Sequence, residues 1–313
     1  MSKIPSRRPD GWSWKIRLAG TVLSIILLIW LLARQDWSSI IGAIGRLSVW
    51  HVVAAILLIA LRHAIHAFRW LLLVTAQGIP LTYPDALKLV YSGLFVSNFL
   101  PSMVGGDVVK IAGVIQKTDN RVVGVASVVV DRIVGAIGVL AALPFSAPLV
   151  SSLFDSTLVL GGSISSLTPR ISKFLRATFG HLSSAVKLWA SQPQRLFFAL
   201  LTSWMGISVN FVAIWILAQG LGMSVTLAEV VGASALTYYM TIIPLSINGY
   251  GIRELIIVGL YTQLGAMAEQ AYALALISRF VFLIVSFPGA LWVGEILKSE
   301  QKEEIRDAEE AAQ

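Results

Sequence analysis

The sequence predicts an all-α polytopic membrane protein of about eight membrane segments, two of them re-entrant helical hairpins, arranged as an inverted internal repeat. Three observations carry this expectation. The 313 residues are 56% hydrophobic and only 13% charged, with a mean hydropathy of +0.78, whereas soluble domains carry about 25% charged residues. Apolar runs close to the ~20 residues needed to cross a bilayer recur along the chain. Two of those runs are interrupted by a proline and a glycine cluster in corresponding places.

The runs are taken in order. Lys3, Arg7, Arg8, Lys15 and Arg17 precede an uncharged stretch over residues 18–33. This resembles a secretory signal, but no convincing small-residue cleavage pattern follows, so it reads as an uncleaved first span within residues 1–48. Trp12, Trp14, Trp30 and Trp37 suit its two interfaces. The second span is expected over residues 49–76 and contains Arg62, His63, His66 and Arg69. Residues 89–106 are uncharged and contain Pro101. The third span, 122–147, contains Asp131 and Arg132, and a weaker crossing candidate follows at 149–167. A basic segment over 168–195 is expected to be cytoplasmic. Residues 196–228 form an uncharged run too long for one span alone. Residues 230–252 contain Pro244. The last span, 271–294, contains Arg279, and a charged tail covers 298–313.

Self-similarity divides this single integral membrane domain, 1–313, into halves at 49–167 and 196–297. Ala76-Gln77-Gly78 recurs as Ala218-Gln219-Gly220. The stretch from Phe99 to Asp107 aligns with that from Ile242 to Tyr250, which sets Lys110 on Arg253. Asp131-Arg132 falls near Ser278-Arg279. Lysine and arginine counts orient the halves. With the N-terminus inside, 14 of the Lys and Arg residues before the last span fall on inside segments, and Arg34, Arg46 and Arg253 fall outside. Such asymmetry follows the positive-inside rule. It requires residues 149–167 to cross, inverts the halves, and puts both termini in the cytoplasm of a bacterial inner membrane. Inverted repeats with broken helices at the midplane are a transporter architecture.

Three groups of residues are candidates for a site. The first comprises the two interruptions: Pro101, Ser102, Gly105, Gly106 and Asp107, then Pro244, Ser246, Asn248, Gly249 and Gly251. Proline ends an incoming helix, glycine permits a positive-φ turn, and the new helix start offers free N–H groups to an anion. In lipid, such backbone is tolerated only inside protein or beside a watery cavity. Ordinary turns outside the membrane are the plainer alternative. The second group is the intramembrane charges. Arg62, His66 and Arg69 follow i, i+4, i+7 spacing and share a helix face, while Asp131, Arg132, Arg279 and Lys110 lie elsewhere. Charges in spans mark pathways or paired sites, and arginine's planar fork suits phosphate. Snorkelling to an interface, or structural pairing with Asp131 or Glu254, would account for them more plainly. Because neighbours on a helix point about 100° apart, Asp131 and Arg132 are expected to have different partners. The third group is Arg253-Glu254, either an anion-binding arginine steered by a carboxylate or a charged helix start.

Other chemistries find little support. There is no cysteine, which removes disulfides, thiolate metal sites and cysteine nucleophiles. The net charge of +7 sits in short stretches between apolar runs, so a nucleic-acid partner is not expected. His51, His63 and His66 lack carboxylate partners in a metal-binding pattern. No phosphate loop, GxSxG or HExxH sequence occurs, so neither a cofactor nor a catalytic residue is assigned.

At these residues the chain resembles the lysylphosphatidylglycerol synthase transmembrane-region family, flippase-like integral membrane proteins. The resemblance rests on Phe68-Arg69-Trp70 with Leu72, on Asn98-Phe99-Leu100-Pro101-Ser102 leading to Gly105-Gly106-Asp107, and on Asp131-Arg132 with Gly135. It continues through Pro244, Ser246, Gly249, Gly251, Arg253 and Glu254. These lie in order over about residues 15–297. The resemblance implies a bundle of about eight membrane segments that binds or moves anionic phospholipids, aminoacylated lipids or polyprenyl-linked intermediates. Fused members carry a cytoplasmic aminoacyl transferase domain. The chain ends at Gln313, so no synthase activity is expected, and Asn248 stands where members commonly have another small residue. The leading expectation is a non-enzymatic lipid transporter holding a phosphate headgroup at mid-membrane. The alternatives are a membrane subunit presenting lipid to a separate cytoplasmic transferase, and an intramembrane enzyme acting on a lipid headgroup.

Overall fold

A computed structural model describes residues 37–98, 105–118, 121–151, 192–242 and 251–294. The expected first span at 18–33, Pro101, Ser102, Pro244, Ser246, Asn248, Gly249, most of 149–167 and of the basic segment, and the charged tail lie outside the described residues. Those described are helical, with no strand among them. In chain order they form α1 (Trp37–Gly45), α2 (Val49–Thr75), α3 (Tyr83–Ser97), α4 (Gly105–Ile115) and α5 (Arg121–Leu140). A 3-10 turn (Leu143–Ser146) follows, then α6 (Pro193–Gly220), α7 (Leu227–Ile242), α8 (Ile252–Gln263) and α9 (Ala268–Ser286).

Among the described residues, four helices are long and apolar enough to cross a membrane: α2, α5 over Val122–Leu140, α6 and α9. Alpha-helices rise about 1.5 Å per residue, so the 27 residues of α2 outreach a hydrocarbon core of about 30 Å. The expected third span is cut short at Leu140, where the chain turns through Pro144. Proline lacks the N–H that would continue the ladder.

Side-chain contacts fix the sense of each span. Gln192 Nε2 donates to the Ala76 carbonyl at 2.6 Å and Arg195 Nη1 donates to Thr75 Oγ1 at 2.9 Å. Gly206 sits against Arg62 and Ile65, and Gly220 against Leu47 and His51. Hence α6 runs antiparallel to α2 along its whole length. Ser203 Oγ donates to the Val134 carbonyl at 3.3 Å, and one turn further on Gly138 packs against Ser203 and Ile207, so α5 runs parallel to α6. Gln270 Nε2, at the start of α9, donates to the Leu221 carbonyl at 3.0 Å, just past the end of α6. The run of α9 therefore matches that of α2.

The shorter helices form two hairpins. Gly93 of α3 and Gly106 of α4 touch so closely that a Cβ on Gly93 would lie 2.5 Å from the Gly106 carbonyl oxygen. Gly113 lies against Leu89, and Lys117 Nζ donates to Asp85 Oδ2 at 2.8 Å. The pair is thus antiparallel, with its open end beside the C-terminus of α2. The α7–α8 pair follows the C-terminus of α6 and so opens on the opposite side. Val230, Ala233, Ile257, Leu260 and Tyr261 join these helices to a shared apolar core with α2, α6 and α9.

Equivalent details recur in the two sets. Each long helix is followed by a positive-φ glycine, Gly78 at φ 76° and Gly222 at φ 78°, a conformation that side chains disfavour. A threonine cap follows in each. Thr82 Oγ1 donates to Asp85 Oδ2 at 2.8 Å, and Thr226 Oγ1 donates to Glu229 Oε2 at 2.9 Å. These contacts correct the register read from the sequence. The partner of Gly78 is Gly222, whereas Gly220 belongs to the last turn of α6. The three-residue match had paired look-alike letters two positions away.

Candidate functional site

The charges at the centre of the spans meet in the middle of the bundle. Arg62 stands at the midpoint of α2, Asp131 and Arg132 at the midpoint of α5, and Ser278 and Arg279 near that of α9. Spacing on α2 aims Arg62, His66 and Arg69 into one cavity of about 300 Å³. Asp107 and Lys110 of α4 and Asp131 and Arg132 of α5 line it too. A second cavity of about 150 Å³ holds Arg253 of α8, with Ser278 and Phe282 of α9. The two share Arg62, Asn210, Ser234, Tyr238 and Thr241. Arg62, at the middle of α2, lines both cavities.

Asp131 anchors the first set of contacts. Its side chain is 3% exposed. Its Oδ1 accepts from Arg69 Nε at 2.9 Å, and its Oδ2 from Lys110 Nζ at 3.3 Å, with His66 Nε2 2.8 Å away. Arg69 extends to Ser203 Oγ at 2.9 Å and packs on Gly135, where a Cβ would lie 3.3 Å from Nη1. Lys110 Nζ stands 5.3 Å from the centre of the fully buried Trp70 ring, in cation–π range. Burying three charges without such contacts would cost several kcal/mol per ion. The network explains how the span tolerates them.

As expected, Arg132 turns elsewhere: it pairs with Asp107. The second half repeats this pair. Arg279 Nε donates to Glu254 Oε1 at 2.9 Å. In both, the partners are 25 residues apart. This places Asp107 on Glu254 and Arg132 on Arg279, so Arg253 answers to Gly106 and not to Lys110. The register read from the sequence was one helical turn off at this point. Glu254 Oε2 also accepts the Gly251 N–H at 2.7 Å, where Gly251 has φ 80°. The expected helix start with an acidic first turn is therefore present, and the carboxylate joins it to α9. Arg253 Nη1 lies 3.8 Å from Glu254 and 3.4 Å from Ser278 Oγ.

Several cavity residues escaped the sequence reading. Phe282 lies under two guanidinium groups, with Arg62 and Arg253 at 5.7 Å and 5.5 Å from its centre. Asn210 lines both cavities, and its Oδ1 is buried without a partner among the described residues. A lone amide in a long uncharged run was the available signal. Ser203, Ser234, Thr237, Tyr238 and Thr241 carry no sequence mark, because hydroxyl side chains are common in apolar helices. Among the described residues, no group of three metal-ligating side chains gathers.

No curated protein matches the chain. A match to the family described as "Lysylphosphatidylglycerol synthase TM region" covers residues 17–289. That stretch includes every described span, both hairpins and both carboxylate–arginine pairs. The chain therefore belongs to the lysylphosphatidylglycerol synthase transmembrane-region family.

Proposed function

We propose that the protein is a non-enzymatic lipid transporter of the bacterial inner membrane that holds an anionic, phosphate-bearing headgroup in the central cavity and passes it between leaflets. The observation that carries this reading is the placement of the cavity. It lies between the inner ends of two hairpins that open on opposite sides, at the mid-length of the spans. Cationic side chains outnumber carboxylates on its walls. In a bilayer, such charges need water, a counter-charge or an anionic ligand, and guanidinium forks suit phosphate.

In this reading the α3–α4 and α7–α8 hairpins are re-entrant and the halves form an inverted repeat. The antiparallel sense of α2 and α6 supports that. Lys88, Lys117 and Arg195 lie at the end of the bundle where α2 finishes, which favours that end as cytoplasmic. Because α5 and α6 run in the same sense, their connection starts and finishes at opposite ends of the bundle. A crossing within 149–167, as expected, would supply the return. Rocking of one half against the other would then expose the headgroup to each side.

Full-length protein in proteoliposomes tests the reading. Tail-labelled phosphatidic acid should change leaflets faster than in protein-free vesicles. The Arg62→Gln/Arg253→Gln variant should return the rate to that of empty vesicles. No acceleration, or the same rate in the double variant, would contradict the reading.

A further inference from the structure

The charges of the site do not balance, and the imbalance specifies the headgroup. Arg132 is matched by Asp107, and Arg279 by Glu254. Asp131 is left to face both Arg69 and Lys110. Arg62 has an aromatic ring beside it and, among the described residues, no carboxylate within ion-pair distance. Among the described residues, Arg253 touches only the carboxylate already taken by Arg279, at 3.8 Å. With His66 counted neutral, three positive charges stand uncompensated among the described residues. They are not clustered at one point. One belongs to the Asp131 network in the larger chamber, one to Arg253 in the smaller, and the third is Arg62, which lines both.

We infer that this site selects a lipid headgroup bearing more than one negative charge, a phosphomonoester or a diphosphate, over a singly charged phosphodiester. The inference rests on the proposed lipid-binding role of the cavity and deepens it. A diester carries one charge and would neutralise one of the three cations, leaving two desolvated. A monoester near its second ionisation carries between one and two charges, and a diphosphate more. Two chambers meeting at a shared arginine fit a headgroup whose anionic oxygens spread over more than one phosphorus. Arginine's five donors allow Arg62 to serve both sides at once. The Tyr238 hydroxyl, which lines both chambers, can donate to an oxygen that the guanidinium groups leave unmet.

Matched lipids provide the test. Full-length protein in nanodiscs of phosphatidylcholine is titrated with dioleoyl phosphatidylglycerol, dioleoyl phosphatidic acid and dioleoylglycerol pyrophosphate. The tails are identical, so only the headgroup differs. Binding is expected to tighten in that order, with at least a tenfold gap between the first and the last. Arg62→Gln should shrink the gap to about threefold, and Arg62→Lys, which keeps the charge, should retain most of it. The lysine variant guards against a fold defect in the glutamine variant. Inorganic pyrophosphate should compete at least a hundredfold more weakly than the pyrophosphate lipid. Equal competition would identify a soluble anion as the ligand and overturn the inference. Equal or tighter binding of phosphatidylglycerol would overturn the headgroup preference while sparing the lipid-binding role. No saturable binding of any of the three lipids would remove both.

Discussion

The two halves share a frame and differ in the charges hung on it. Each has a long span, a capped turn through a positive-φ glycine, a helical hairpin, a second span and a carboxylate–arginine pair spaced by 25 residues. By the register of those turns and pairs, His66, Arg69, Lys110 and Asp131 in the first half correspond to Asn210, Ala213, Ile257 and Ser278 in the second. Among the described residues, the network centred on Asp131 therefore exists once, whereas the carboxylate–arginine pair and its scaffold exist twice. What folds the bundle and what makes a site in it are separable here: the shared elements, with their balanced carboxylate–arginine pair, position, and the unshared ones carry the excess charge.

The largest effect that this contrast predicts concerns Asp131. Removing one partner of a buried network leaves the others uncompensated, at a cost of about 3–5 kcal/mol. Asp131→Ala should lower the thermal unfolding midpoint in detergent markedly, because Arg69 and Lys110 lose their shared carboxylate. Ser278→Ala at the matching place loses a hydroxyl that donates to the Ala275 carbonyl at 3.0 Å, so about 1 kcal/mol is expected. Equal destabilisation by the two would break the comparison.

A smaller effect is expected from close packing. Gly93 leaves no room for a Cβ against the backbone of Gly106, and overpacking of this kind costs about 1–3 kcal/mol. Gly93→Ala should destabilise by that much in a melting experiment. Its counterpart, Thr237, already carries a side chain, so Thr237→Ala should shift the midpoint less. If Gly93→Ala melts with the wild type, the first hairpin is looser than its contacts indicate.

The smallest effect concerns the open end of the first hairpin. Lys117 above all holds the Asp85 carboxyl below its ordinary range, against the opposing effect of burial, with Thr82 adding a smaller downward pull. A depressed carboxylate contributes stability that is present above the ordinary pKa of about 4 and lost as pH falls through the folded value. The pair is partly exposed, so screening limits it to a few tenths of a kcal/mol up to about 1. Asp85→Asn should lower stability slightly at pH 7, and the difference should shrink as pH falls below about 4. A difference that persists at low pH would assign the effect to the cap that Thr82 makes with Asp85, and not to the ion pair.

Much of this was legible in the sequence, for reasons that differ by residue. Low charge and long apolar runs identify the spans, since lipid permits little else. Spacing placed Arg62, His66 and Arg69 on one face, and the angular offset of neighbours sent Asp131 and Arg132 to different partners. The family resemblance, too, was carried by letters that survive in order. The fine register of the repeat was not legible. Ala-Gln-Gly recurs by letter at the end of α6, but the turn that matters is set by backbone geometry at Gly222. The alignment of Lys110 with Arg253 failed because one helical turn returns a residue to nearly the same face, so sequence periodicity cannot distinguish the two. Phe282 and Asn210 were missed because an aromatic ring or a lone amide in an apolar helix is ambiguous until its neighbours are known.

The central claim is that the uncompensated arginines hold an anionic lipid. Native mass spectrometry of full-length protein, extracted gently from its own membrane, tests this most directly. The account predicts one or more bound anionic, phosphate-containing lipids, lost selectively from the Arg62→Gln/Arg253→Gln variant. Retention of only zwitterionic lipid, or the same anionic lipid at the same occupancy in the variant, would contradict it.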